Sequence, residues 1–240
     1  MIRHAMIFAA GLGTRLGEIS KHTPKALIEI AGKPLLYHII EKLNKEKFTH
    51  VVVNVHHHAE LIIKFLSTIQ FENMKIDVSD ESELLLDTGG GLKKAAALFS
   101  DAEHILLHNV DVISDINLNA FYRHHCNSSN LASLAVKQRL SSRYLLFDTN
   151  NHLKGWRGQD SEIRYSAEEL FPMAFSGIHV VSKQIFSLMP KTQIFSMTNL
   201  YLELCEHNTI CAWTHHEDQW VDVGKPEHFE KAEQISLKKR

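Results

Sequence analysis

Ala9-Ala10-Gly11-Leu12-Gly13-Thr14-Arg15-Leu16-Gly17-Glu18-Ile19-Ser20-Lys21-His22-Thr23-Pro24-Lys25 emerges from an apolar run over residues 5–10. The run is short enough for one buried strand. Glycines, an arginine and a lysine then come in quick succession. Glycine carries no Cβ, so backbone N–H groups can close around a phosphate, and flanking cations neutralise its charge. A strand that delivers such a loop opens an α/β fold, in which ligands bind outside the carboxyl ends of the strands. The stretch reads as a holder of a polyphosphate.

Two common phosphate loops do not fit it. The dinucleotide fingerprint G-x-G-x-x-G needs its third glycine where Leu16 stands, and Gly17 comes one residue late. That fingerprint also opens a helix, whereas Pro24 follows soon after Gly17 with no long apolar period between. The pattern G-x-x-x-x-G-K-[ST] is absent, because Gly32-Lys33 is followed by Pro34 and lacks the earlier glycine. What remains is G-x-G-T-R followed by T-P-K.

Working outward, apolar runs at 51–55, 76–78, 105–108, 131–136 and 178–181 read as further strands. Residues 34–43 begin with proline at a helix-entry position and carry Leu35, Leu36, Ile39, Ile40 and Leu43 at helical spacing. Residues 59–66, 92–99 and 118–125 read the same way. This βαβα alternation predicts an α/β fold with a doubly wound, mostly parallel sheet. From 143 to 164 the pattern weakens, predicting short antiparallel strands or a long loop over the site. No linker or internal repeat interrupts the chain, so residues 1–240 are expected to form a single domain. Lys238-Lys239-Arg240 reads as a frayed helix end.

Composition agrees with a soluble enzyme. A chain of 240 residues with 44% hydrophobic content can bury one substantial core. A net charge of −2 provides no basic field for nucleic acid or an anionic membrane. Three cysteines without C-x-x-C spacing point to reduced thiols, and no run reaches membrane-spanning length. A cytoplasmic location is expected.

Four further segments carry chemistry. Asp87-Thr88-Gly89-Gly90-Gly91 lies between a strand and a helix expected to begin near Leu92, where three glycines would leave backbone donors facing a ligand. Asn109-Val110-Asp111 ends a strand, and an aspartate there offers hard oxygen to Mg²⁺ held with phosphates. Phe175-Ser176-Gly177 opens the strand at 178–181. In Trp220-Val221-Asp222-Val223-Gly224-Lys225-Pro226-Glu227, Pro226 opens the last helix and Glu227 suits its first turn. Asn54 precedes His56-His57-His58, but adjacent histidines diverge and chelate poorly. These, with His124-His125 and His215-His216, are expected to lie at the surface or behind the site.

With its motifs in this order, the sequence resembles the sugar-1-phosphate nucleotidyltransferase family over residues 5–235. The resemblance implies a Rossmann-like, GT-A-like fold, here without the β-helix tail of some members. It implies that Ala10, Gly11, Gly13 and Thr14 hold an NTP triphosphate, that Arg15 grips the departing pyrophosphate, and that Lys25 neutralises the reacting phosphates. Asp87, Gly89 and Gly90 would close over base and ribose, with Asn54 and Asn109 nearby. Asp111 and Asp222 would share Mg²⁺. Ser176 and Gly177 would meet the acceptor sugar through their backbone. Val110, where the family usually has glycine, would narrow the acceptor pocket. The E-K-P segment of larger members is missing, and Lys154 or Arg157 would replace its charge. The acidic residue before T-G-G-G and the F-S-G segment imply UTP as donor and N-acetylmuramic acid 1-phosphate as acceptor. Mannose 1-phosphate with GTP and phosphocholine with CTP are the alternative pairs. A non-catalytic nucleotide-sugar-binding protein is the reading from another class, opposed by the joint presence of Arg15, Lys25, Asp111 and Asp222. Partners are then an NTP and a sugar 1-phosphate, in a monomer or small homo-oligomer.

Overall fold

The computed structural model describes residues 2–17, 20, 23–166 and 169–237, apart from the side chain of Arg15. The tail Lys238-Lys239-Arg240 lies outside the described residues. From the N-terminal side, β1 (His4–Phe8) leads into the glycine loop. The ribbon β2 (Glu29–Ile30) and β3 (Lys33–Pro34) precedes α1 (Leu35–Lys45), followed by β4 (His50–Val55), α2 (Ala59–Thr68), β5 (Lys75–Asp80) and α3 (Asp87–Lys94). Next come β6 (His104–Asn109), β7 (Val112–Ser114), α4 (Leu118–Cys126), β8 (Ala132–Lys137), β9 (Tyr144–Phe147) and β10 (Leu153–Arg157). Then β11 (Glu162–Arg164), β12 (Phe171–Ser182), α5 (Met197–Leu204), β13 (Ile210–Thr214), β14 (Trp220–Asp222) and α6 (Phe229–Leu237) follow.

Ten strands form one sheet in the order β11-β10-β9-β12-β6-β1-β4-β5, with β8 paired to β12 and β13 to β8. The expected parallel ladder is the half β6-β1-β4-β5. There β1 is central, and alternation sends Ala5 and Ile7 into one core cluster and Met6 and Phe8 into the other. The strand β12 runs antiparallel to β6 and β8 and, through its first residues, to β9. It carries the sheet into an antiparallel wing, β9-β10-β11. Residues 143–164 therefore form strands rather than a loop. Their connections are too short for a crossover helix, which leaves antiparallel pairing as the solution.

Helix α1 buries Leu35, Leu36, Ile39, Ile40 and Leu43, the predicted stripe. At about 2 kcal/mol for each large apolar side chain removed from water, this face anchors the helix. One boundary differs. Helix α3 starts at Asp87 and not near Leu92, so the glycine triplet lies inside its first turns. No helix among the described residues is long and apolar enough to cross a membrane.

Candidate active site

The loop at the end of β1 is held from below. Asn54, at the carboxyl end of β4, is 2% exposed. Its Oδ1 accepts the Ala9 N–H at 2.7 Å, and its Nδ2 donates to Glu81 Oε1 at 2.7 Å. Both side-chain atoms are thus engaged, and Asn54 sets where the loop begins instead of offering its amide to a ligand. Burial pushes the Glu81 carboxyl up, against the hydrogen bonds from Asn54 and the Leu86 N–H. Past Ala10, Gly11 stands in open space, exposed. Gly13 has φ +66°, and a Cβ there would lie 3.2 Å from Ser20 Cβ and 3.4 Å from Lys25 Cβ. Glycine at 13 thus relieves both the left-handed backbone and the contact with Lys25. Thr14 follows, exposed, in a short 3₁₀ turn.

Pro24 leads into a 3₁₀ turn at Lys25–Leu27, with the Lys25 side chain only 9% exposed. Its Nζ lies 2.5 Å from Asp111 Oδ2. The second aspartate reaches the same place from the far end of the chain. Strand β14 pairs antiparallel with β7, setting Asp222 opposite Val112, and the Val223 N–H donates to Asp111 O at 2.7 Å. His228 Nδ1, 2.5 Å from Asp222 O, secures the other side. Lys25, Asp111 and Asp222 are therefore brought together beside the glycine loop. The backbones of Asp111 and Asp222 are thus neighbours, and two carboxylates would be a donor set that suits Mg²⁺ held with phosphates.

Two expectations change here. Val110 does not project into a pocket. It is 5% exposed and packed in the core cluster with Ala26 and Leu36, while its N–H donates to Phe8 O at 3.1 Å. The strand-end geometry that turns Asp111 outward turns Val110 inward. The glycines of α3 are also not free donors. The Gly89 and Gly90 N–H groups both reach Phe195 O, at 2.9 and 3.1 Å. A Cβ on Gly90 would stand 2.0 Å from Gln193 O, one on Gly89 2.4 Å from the Phe195 ring, and one on Gly91 2.6 Å from Glu81 Oε1. The triplet exists so that α3 can lie directly on the segment at 193–195 and on Glu81. Asp87, at φ +60°, accepts the Thr88 N–H on Oδ1 at 2.6 Å and remains exposed.

On the other side of the aspartates, Gly177 has φ +73°, and a Cβ there would meet Asn109 Nδ2 at 2.9 Å. Asn109 is thereby fixed against the start of the β6–β12 ladder. Ser176 is fully buried. Its hydroxyl sits 2.7 Å from His215 Nε2, and its carbonyl accepts the Trp220 indole N–H at 2.8 Å. The Ser176 hydroxyl is thus engaged within the protein. At the end of α5, burial pushes the Cys205 thiol up, with the charge of Lys154 acting against that push. Arg157 is ion-paired with Glu162.

Of the clustered histidines, expected at the surface or behind the site, His124 and His216 are exposed, His56, His57 and His58 half-buried, and His125 and His215 buried. His56 Nδ1 lies 2.7 Å from Glu81 O, and buried His125 lies 2.9 Å from Ser133 Oγ. Among the described residues no three or more His, Cys, Asp or Glu side chains gather where they could hold a metal ion. Sequence reasoning missed Glu81 and Arg139. Of these, only Glu81 gave a signal, as an acidic residue directly after a strand.

The family model for nucleotidyl transferases matches residues 4–154. The chain is 30% identical over 234 residues to the N-acetylmuramate α-1-phosphate uridylyltransferase of Caulobacter vibrioides, covering 93% of this chain and 92% of the relative. It is also 30% identical over 229 residues to the D-glycero-α-D-manno-heptose 1-phosphate guanylyltransferase of Campylobacter jejuni, covering 94% and 96%. The fold matches the crystal structure of HddC from Yersinia pseudotuberculosis complexed with GMP-PN, with a TM-score of 0.76 at 24% identity, over 97% of this chain and 99% of that one.

Proposed function

Because this chain belongs to the nucleotidyl transferase family, we propose that it transfers a uridylyl group from UTP to N-acetylmuramic acid 1-phosphate. Nucleotidyl transfer to a sugar 1-phosphate is the activity of the family. The observation that carries the reading is the convergence of Lys25, Asp111 and Asp222 beside the glycine loop. In the reaction, an oxygen of the acceptor phosphate bonds to the α-phosphorus. The bond from that phosphorus to the bridging oxygen breaks, and pyrophosphate leaves with the electron pair. Such a displacement needs positioning and charge neutralisation, not a covalent nucleophile.

Gly11, Gly13 and Thr14 hold the triphosphate, with Arg15 at its departing end. Lys25 is held where it can shift from Asp111 to the α-phosphate as charge builds there. Asp111 and Asp222 would hold Mg²⁺, which would supply positive charge against the reacting phosphates. The uridylyl and muramate assignments are supported by Asp87-Thr88-Gly89-Gly90-Gly91, by Phe175-Ser176-Gly177 and by the uridylyltransferase relative. A guanylyl donor with a manno-heptose 1-phosphate is the competing reading, favoured by the guanylyltransferase relative of equal identity. Pyrophosphate release with each of four NTPs against muramate, mannose, glucose and manno-heptose 1-phosphates decides between them. The highest kcat/KM is expected for UTP with the muramate compound. A tenfold advantage of GTP or of another sugar phosphate overturns it.

A further inference from the structure

An acceptor phosphate beside Asp111 and Asp222 needs a cation, and of the nearby basic residues two are already engaged. Arg157 is paired with Glu162, and Lys137 Nζ donates to Asp218 O at 2.6 Å. Arg139, just after β8, is placed differently. Its neighbour Leu140 is 96% exposed, yet the Arg139 guanidinium folds back and lies 4.2 Å over the Trp220 ring. Trp220 and Asp222 are two apart on β14 and so share a face. Burial lowers the pKa of Arg139, and the Asp222 charge opposes that shift, so the two side chains lie in each other's field.

Among the described residues Arg139 has no carboxylate at ion-pair distance. One terminal nitrogen donates to Phe175 O at 2.9 Å, the other makes a long 3.4 Å contact with Leu140 O, and Nε is buried without a partner. Most of its five N–H donors are therefore uncommitted. A planar guanidinium fixed on an indole and left without an anion is a receptor for a phosphate. It stands between Phe175-Ser176-Gly177 and the aspartates.

We infer that Arg139 receives the phosphate of the sugar 1-phosphate acceptor. The inference rests on the nucleotidyl-transfer reading but not on the choice of sugar, since the phosphate is common to every candidate. The test compares wild type with Arg139→Ala, Arg139→Lys, Lys154→Ala and Arg157→Ala. Turnover is measured on whichever sugar 1-phosphate the wild type uses best. Acceptor binding is measured separately by Trp220 quenching, with glucose, mannose and N-acetylmuramic acid 1-phosphates as probes.

Arg139→Ala is expected to raise the acceptor KM and quenching Kd at least tenfold, with the KM for the NTP within twofold. Arg139→Lys keeps the charge without the planar fork and is expected to recover part of that loss. A merely structural role would raise both KM values together or lower the melting temperature. That result overturns the inference, as does an acceptor loss confined to Lys154→Ala or Arg157→Ala. Absence of wild-type turnover on every sugar phosphate sinks the functional reading instead, and the quenching comparison still judges Arg139. If wild type binds none of the probes, both fall.

Discussion

Lys25 and Asp111 face each other at 2.5 Å with little solvent around the lysine, so the cation is positioned before any phosphate arrives. Removing one such preorganised group costs about 3 kcal/mol in the barrier. Lys25→Ala should therefore lower kcat about a hundredfold with an unchanged melting temperature, and near-normal turnover at saturating substrate would exclude the role. Asp111 and Asp222 are linked through the Val223–Asp111 hydrogen bond and would serve one ion. Groups acting as a unit lose function non-additively. Asp111→Asn and Asp222→Asn should each abolish Mg²⁺-dependent turnover, with the double variant little worse. Multiplicative losses in the kinetic cycle would separate them. These residues were legible because each sits in a short motif whose backbone setting the sequence also declares. Arg139 was not, because it lies in an aperiodic loop and gains its setting only from Trp220, far along the chain. Val110 misled for a related reason: sequence shows which residue replaces a glycine, but not whether its side chain points to solvent or core.

At the scale of elements, two glycine segments that look alike in sequence differ in kind. Gly11 has open space around it, whereas Gly90 lies where a Cβ would collide with backbone at 2.0 Å. Gly90→Ala is expected to destabilise the protein by about 2 kcal/mol, the middle of the overpacking range. In a chain of this size that is roughly 4–8 °C in melting temperature. Gly11→Ala should leave the melting temperature alone and raise the KM for the NTP, because only an approaching phosphate would meet the methyl group. Equal thermal shifts for the two would refute the distinction. Periodicity revealed the strands and most helices, since a buried stripe or alternation is itself what folds. It did not reveal where α3 begins, because glycine-rich turns carry no periodic signal and the contact that settles them comes from the segment at 193–195.

Across the whole molecule, three histidines are buried neutral in different regions. Burial pushes His125 and His179 down to about 3 and His215 to about 4. Each folded value lies below the unfolded 6.5, so the unfolded chain takes up protons first as pH falls. Stability is therefore complete above about pH 6.5 and declines between 6.5 and the folded values of about 3 to 4, with a slope approaching about 1.4 kcal/mol per pH unit for each histidine. Urea midpoints between pH 7.5 and 5 should fall accordingly, and replacing His125 with Gln should flatten the decline. A flat profile in the wild type would show that these rings accept protons in place. The ribbon β7–β14 has a different consequence. It is not part of the ten-stranded sheet, and with α6 it rests on a small apolar cluster around Ile113, Val221 and Val223 that also takes in Leu16, Ile28, Ile30 and Leu35. Protection against amide exchange is set by the cheapest opening that frees a given N–H. Here that opening releases three ladder residues and leaves the sheet whole, so amides of β14 should exchange through subglobal fluctuations while those of β1 wait for global unfolding. Catalytic competence then has a melting curve of its own, lying below that of the circular dichroism, because Asp222 rides on the part of the molecule that opens first.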